Sequence, residues 1–383
     1  MIDSLPPLSL YIHIPWCVRK CPYCDFNSHQ VREALDEPPY IDALLADLEQ
    51  DLKQTGGRPL HSIFIGGGTP SLFSPGSIAA LLAGVMARVE TEPELEITLE
   101  ANPGTLEADN FSGYRDAGVN RLSVGVQSFD TARLQALGRI HDPDQAMLAV
   151  ERARQAGFSR INLDLMFGLP GQTSASAAED LSIALQLDPG HISYYQLTLE
   201  PNTHFHQFPP ALPDDELIWE IHSQGQTCLA EAGYLQYEIS AYARPGERCR
   251  HNLNYWCFGD YIGIGAGAHG KLTLADGRIL RNWKQRRPQA YLAAAYGAGA
   301  VQGERWLERD DRLLEFMMNA LRLNEGFSLS QFEARSGLSR RQLDEALATA
   351  QARELLLRSG EQTRPSLRGH AFLNDLLAIF TPQ

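Results

Sequence analysis

Leu8-Ser-Leu-Tyr11-Ile-His-Ile-Pro-Trp-Cys17-Val-Arg-Lys-Cys21-Pro-Tyr23-Cys24-Asp-Phe26 joins two signals in one stretch. Its first half, Leu8–Ile14, is apolar enough to read as a buried strand. Its second half spaces three cysteines as C-x3-C-x2-C. Three thiolates can hold three corners of a cubane iron–sulfur cluster, which leaves the fourth iron without a protein ligand. An open iron is a place for chemistry, as an open coordination position marks a catalytic zinc. A strand that runs straight into such a loop puts this chemistry at the C-terminal end of a first strand, where α/β folds keep their sites.

The signal is specific. Six cysteines in 383 residues would give such a triplet by chance roughly 10⁻³ times. The competing reading is zinc. A structural zinc site takes four protein ligands, and no fourth Cys or His stands at finger-like spacing; His13 and His29 are the nearest.

Working outward, strand-like and helix-like segments alternate. The periodicity predicts strands at Leu8–Ile14, His61–Ile65, Leu95–Glu100, Arg121–Val126, Arg160–Met166 and His191–Leu199. Helices are expected over Tyr40–Lys53, Ser77–Val89, Glu107–Ala117, Pro143–Ala156, Ala175–Leu187 and Asp214–Ala232. Six β/α units predict an α/β fold with a parallel sheet and outer helices. They fall short of the eight of a full barrel, so the expectation is a partial (β/α)6 TIM-like barrel, with an open doubly wound sheet as the alternative. Candidate polar residues fall at strand ends. The cysteines follow the first strand and Gly66-Gly67-Gly68-Thr69-Pro70 the second. Glu100 ends the third, Gln127 follows the fourth, and Asp164 lies near the end of the fifth.

After Ala243 the pattern changes. Residues 1–243 are read as the barrel, 244–305 as a connecting segment rich in Gly, aromatics and His, and 306–383 as a helical, winged-helix-like domain. Ser328 and Ser339 are plausible N-caps there. That fold can bind DNA, but a packing or lid role is the plainer reading, because fold alone does not give function. Ile262-Gly-Ile-Gly-Ala-Gly-Ala-His269-Gly looks like a dinucleotide loop, yet it lacks a following helix and a ribose carboxylate. It is expected to pack beside the barrel mouth.

Apolar content of 44% and charged content of 21% are those of a globular protein. No apolar run is long enough to span a membrane, and the N-terminus lacks the basic and apolar regions of a secretory signal. Cluster thiolates need a reducing compartment, which points to the cytoplasm. A net charge of −14 argues against nucleic acid as a partner, since phosphate neutralisation needs Lys and Arg.

The cysteine spacing, with an aromatic residue (Tyr23) before the last cysteine, resembles the radical S-adenosylmethionine (SAM) enzymes. The resemblance implies a 4Fe–4S cluster held by Cys17, Cys21 and Cys24, whose open iron is chelated by SAM, and an electron donor for the cluster. It further implies SAM contacts from Tyr11, Tyr23, Gly67, Gly68, Thr69, Glu100, Gln127, Arg139 and Asp164. Glycines let a ligand approach the backbone, a carboxylate can accept ribose hydroxyls, and Arg139 can grip a carboxylate with two bonds. As ordered motifs these residues resemble one branch over most of the chain, the oxygen-independent coproporphyrinogen III oxidases and their relatives.

Two departures separate this chain from the oxidases. They carry a further cysteine two residues after the triplet, where this chain has Phe26, and a long N-terminal extension, where 16 residues precede Cys17 here. Both features resemble the branch read as heme chaperones, which bind heme and pass it to acceptor proteins without decarboxylating porphyrinogens. The run His251-Asn252-Leu-Asn-Tyr255-Trp256 resembles that branch's heme-associated motif. His251 can supply an axial imidazole, and Tyr255 and Trp256 can cover a porphyrin face. The implied partners are heme, heme-accepting proteins and, through the cluster, a second copy in a homodimer. The alternative remains a true oxidase, and no catalytic residue is assigned.

Overall fold

The computed structural model describes residues 5–381. Six β/α units follow in chain order: β1 (Leu8–Ile14), α1 (Glu37–Leu52), β2 (Leu60–Gly67), α2 (Pro75–Met86), β3 (Thr91–Ala101), α3 (Phe111–Asp116), β4 (Arg121–Gln127), α4 (Pro143–Gln155), β5 (Arg160–Phe167), α5 (Ser174–Gln186), β6 (His191–Gln196) and α6 (Asp215–Glu231). Neighbouring strands pair in parallel and in sequence order, as the alternation predicts.

Side chains alternate along each strand, and β1 shows what each face does. Leu10, Ile12 and Ile14 are fully buried in the main core, which also holds Tyr40, Leu44 and Leu48 of α1. Ser9, Tyr11 and His13 take the opposite face. The Ser9 hydroxyl meets that of Ser62 at 2.8 Å, and Tyr11 stacks on Phe64 at 6.3 Å. One face of the sheet thus carries packing and the other carries polar chemistry. Helix starts are marked locally. Ser74 caps α2 by accepting from the Ser77 N–H, and Asp142 and Gln145 form a capping box on α4.

Both the end of the expected barrel region and the segment 244–305, expected as a connector, build sheet. β7 (Leu235–Glu238) and β8 (Ala241–Ala243) continue the sheet antiparallel beyond β6. After α7 (Arg250–Trp256), β9 (Asp260–Ile264) pairs parallel with β1, opposing Tyr11 to Gly263. β10 (His269–Thr273), β11 (Ile279–Lys284) and β12 (Val301–Trp306) extend that edge antiparallel. The sheet reaches 12 strands. Although Ile262 and Ile264 of β9 are buried in the main core, the glycines from Gly263 onward make this stretch read as a close-packing loop. Gly265, at φ +104°, must be small, since a Cβ there would run into the His13 carbonyl.

Buried charge fastens this added edge to the barrel. Lys284 Nζ lies 2.6 Å from Asp47 and 2.8 Å from Asp51 on α1, and the Tyr291 hydroxyl donates to Asp47 at 2.7 Å. All of these side chains are buried.

The C-terminal part comprises α8 (Arg309–Ala320), α9 (Leu329–Ser336) and α10 (Asp344–Ala352) with a small antiparallel sheet. That sheet is formed by Phe327–Ser328, Leu356–Ser359 and Gln362–Pro365. A helical, winged-helix-like domain was expected here, and the hairpin at 356–365 stands where a wing would. Its core, Phe316, Phe327, Phe332 and Leu347, also takes in Phe258 and Ile279 from the barrel side. Among the described residues no helix is long and apolar enough to cross a membrane.

Removing Lys284 leaves two buried carboxylates without their cation. Burial already lifts the Asp51 carboxyl to about 6, and without the ammonium it rises further. A carboxyl raised above its unfolded value costs stability at high pH and is relieved as pH falls below its folded value. K284M is expected to lose about 3 kcal/mol at pH 8 and less at pH 5, measured by denaturant unfolding. An equal loss at both pH values would contradict this reading.

Candidate functional site

The cysteine loop begins where β1 ends. Trp16–Cys17 pairs with His29–Gln30 in a short parallel ladder, so the loop is closed at its base. Trp16 packs edge-on against Tyr40 at 4.6 Å, which anchors that base in the core. Inside the loop the Cys24 N–H donates to the Cys21 carbonyl at 3.2 Å. The thiols of Cys17, Cys21 and Cys24 line a cavity of about 310 Å³ at the C-terminal ends of the strands. Burial pushes the Cys17 and Cys24 thiols up; bound metal would deprotonate them. Among the described residues no three His, Cys, Asp or Glu side chains close on a point as one metal ion requires. A cubane is larger, and thiolates at its corners stand farther apart.

The glycine run forms the wall facing the cysteines. Gly67 has φ +113°, and a Cβ there would lie 2.5 Å from the His13 ring; at Gly68 it would lie 2.5 Å from the Trp16 carbonyl. These residues are small because β2 must press against the root of the cysteine loop. Thr69 and Pro70 complete the wall.

Polar groups of two kinds line the cavity. Arg139 Nη2 donates to the Asn102 side chain at 2.8 Å and the Gly125 carbonyl at 2.6 Å. Its Nη1 lies 3.9 Å from Cys21 Sγ, and its Nε is buried without a partner. Gln127, beside it, holds φ +68° and keeps Oε1 buried and unpaired. A left-handed non-glycine residue of this kind costs about 1 kcal/mol or more and clusters at functional sites. On the strands to either side, β3 and β5, stand the carboxyls of Glu100 and Asp164. Burial, then the charge of Asp164, lifts Glu100 to about 8, against one hydrogen bond from the Gly67 N–H at 3.0 Å. Burial also raises Asp164, which accepts from Asn162 at 2.8 Å and Ser123 at 3.2 Å. Such a site suits a ligand with a carboxylate for Arg139, and with positive charge or hydroxyls for the acids. A methionine sulfonium nucleoside has all of these.

Tyr23 also lines this cavity and packs on Phe205 at 6.5 Å. Asn102, Ser123 and Tyr195 line it too and were not singled out from sequence. Asn102 sits just past the end of β3 and Tyr195 near the end of β6, the position that marks the others. Tyr11 lies elsewhere: it bonds His13 Nδ1 at 2.9 Å and faces a second cavity.

The His251–Trp256 run is α7, and it plugs the floor of the barrel. Glu96 accepts from the N–H groups of Arg250 at 2.9 Å and His251 at 3.2 Å, and Asn254 donates to Ser9 at 2.9 Å. His251 is 2% exposed, stacked on Phe64 at 4.6 Å and edge-on to Tyr255 at 4.4 Å. Burial drives its pKa to about 3. The structure brings it to neither cavity. Asn252 is half-buried, Trp256 packs on Tyr237 at 5.9 Å, and of the four only Tyr255 lines a cavity, the second one.

Residues 11–182 match the Radical SAM superfamily model, and residues 307–372 match the HemN C-terminal domain. The chain is 51% identical to the heme chaperone HemW of Escherichia coli over 98% of its own length and 99% of that protein. It is 50% identical to HemW of Haemophilus influenzae over 99% of each. The chain belongs to the HemW group of the radical SAM superfamily. A mitochondrial radical SAM domain-containing protein 1 of mouse is 35% identical over 98% of this chain and 87% of its own length. Coproporphyrinogen III oxidase (HemN) from E. coli, a radical SAM enzyme, shares the fold, with a TM-score of 0.82 at 24% identity over 98% of this chain and 90% of its own.

Because Glu100 holds its proton up to about pH 8 in the fold but only to about 4.3 when unfolded, its burial costs stability progressively as pH rises. E100Q removes that cost. Without added ligand it is expected to melt above wild type at pH 9, with the gap shrinking towards pH 5. A pH-independent gap would contradict the assignment.

Proposed function

We propose that this chain is a heme chaperone: it binds heme and transfers it to acceptor proteins. It does so with a 4Fe–4S cluster held by Cys17, Cys21 and Cys24 and capped by SAM. The observation that carries the reading is the full-length likeness to HemW proteins at about half of all positions. When bound, the cluster and SAM supply one-electron chemistry at an open iron. The chain's own residues then bind and orient. Arg139 and Gln127 take the carboxylate end of the ligand. Glu100 and Asp164 take its cationic and hydroxyl groups, and the Gly67–Thr69 wall lets it lie against the backbone. Burial of the acids favours a cationic ligand, since charge pairing repays their desolvation only when a partner arrives. Heme is cargo in this account, an electron donor serves the cluster, and the thiols require the reducing conditions of the cytoplasm.

The second reading, a coproporphyrinogen III oxidase, has the fold in its favour. Phe26 weighs against it: the position carries an exposed aromatic ring that lines the cluster cavity, where the oxidases carry cysteine.

Anaerobic reconstitution with iron and sulfide, hemin titration and a coproporphyrinogen turnover assay decide between them. The expected result is hemin binding near one per chain without decarboxylated product. Turnover with 5′-deoxyadenosine release, or absence of hemin binding, would overturn the proposal.

A further inference from the structure

Beyond Phe26, which lines both spaces, lies a second cavity of about 830 Å³. This is more than twice the cluster cavity and within the range that holds cofactor-sized ligands. Its walls are aromatic. Tyr255 and Tyr261 meet edge-on at 4.4 Å, and Trp283 faces the space from β11. Arg286 lies at its exposed rim, where a guanidinium can hold a carboxylate. The Asn27 side chain, at the end of the cysteine loop, donates to the carbonyls of Ala266 at 2.8 Å and Arg286 at 2.9 Å. The loop that carries the cysteines and the wall of this cavity are therefore one fastened unit.

A porphyrin iron needs an axial ligand, and the imidazoles here are not equivalent. His13 lines the cavity but is committed on both nitrogens, to Tyr11 at 2.9 Å and to the Asn27 carbonyl at 2.9 Å. His251, with its Nδ1 buried and unpaired, is stacked behind, against Phe64, and lines neither cavity. His269 begins β10 directly opposite Trp283, is exposed, and lies 6.5 Å from the indole with the rings 29° apart. Among the described residues neither of its ring nitrogens takes a hydrogen bond. A rigid aromatic platform, a free imidazole held against it and a cation at the rim are the components of a single-histidine heme seat.

We infer that this second cavity is where the cargo heme sits, with His269 as axial ligand and Arg286 towards the propionates. The inference rests on the chaperone reading and assigns its cargo site. It places heme next to the cluster cavity with Phe26 between them.

Hemin titrated into the full-length, cluster-reconstituted chain tests it, with the Soret position and dissociation constant as readouts and cluster iron content as the check on folding. H269A is expected to shift the Soret band and weaken binding by about tenfold or more, and added imidazole to restore the spectrum. If wild type binds hemin and H269A matches it in both readouts, or if H251A alone moves the spectrum, the seat is wrong while the chaperone reading stands. If wild type binds no hemin, the chaperone reading fails and the seat with it.

Discussion

At the end of β1 three stretches of backbone meet too closely for side chains. Gly67 and Gly68 press on His13 and Trp16 from the end of β2, and Gly265 presses on His13 from just past β9. The Tyr40 hydroxyl fills the remaining gap, donating to the His13 carbonyl at 2.8 Å and accepting from the Ala266 N–H at 3.0 Å. This crowding fixes where the cysteine loop leaves the sheet. With that departure set, the loop's base ladder, the glycine wall and the Asn27 ties follow. A substituent at any of these glycines would move the loop relative to the strand ends that supply Glu100, Gln127 and Asp164. Core packing of this density does not deform gradually, so the displacement would reach the site.

The polar interior above α7 is costly, and its arrangement shows where a ligand is expected. The floor is tied together by its own residues, although His251 Nδ1 stays buried and unpaired. Glu96 is held by two backbone N–H groups and Arg160, while His191 bridges Asn162 at 2.6 Å and Tyr237 at 2.7 Å. The layer above is incomplete: Gln127 Oε1 and Arg139 Nε are buried and unpaired, and Glu100 is pushed towards its neutral form. Unpaired buried groups cost about 1–3 kcal/mol each, which a bound polar ligand recovers.

Much of this was legible in the sequence. Periodicity found all six β/α units, because each helix has one apolar stripe and each parallel strand is buried. The C-terminal ends of those strands collected the cysteines, Gly67, Gly68, Thr69, Glu100, Gln127, Arg139 and Asp164 around one cavity. What stayed hidden was encoded by the absence of pattern. β9 is short and runs into Gly265, Gly267 and Gly270, which mask its buried Ile262 and Ile264, and β10 to β12 look like loop because polar residues such as Lys271 and Lys284 are buried in ion pairs. The His251–Trp256 run reads as a heme motif from its resemblance to the chaperone branch; its residue types alone suit a packed helix equally well. The structure spends most of them on packing: Glu96 draws in the helix N-terminus and Phe64 stacks on the imidazole. His269, in a stretch read only as close packing, faces the larger cavity instead.

The central claim is that three thiolates leave one iron open towards the cavity that holds Arg139, Glu100 and Asp164. Electron paramagnetic resonance of the reduced, anaerobically reconstituted chain, recorded with and without SAM, tests it directly. The account predicts one 4Fe–4S signal per chain whose g-values change when SAM is added. A cluster signal that SAM leaves unchanged, or zinc in place of iron, would contradict it.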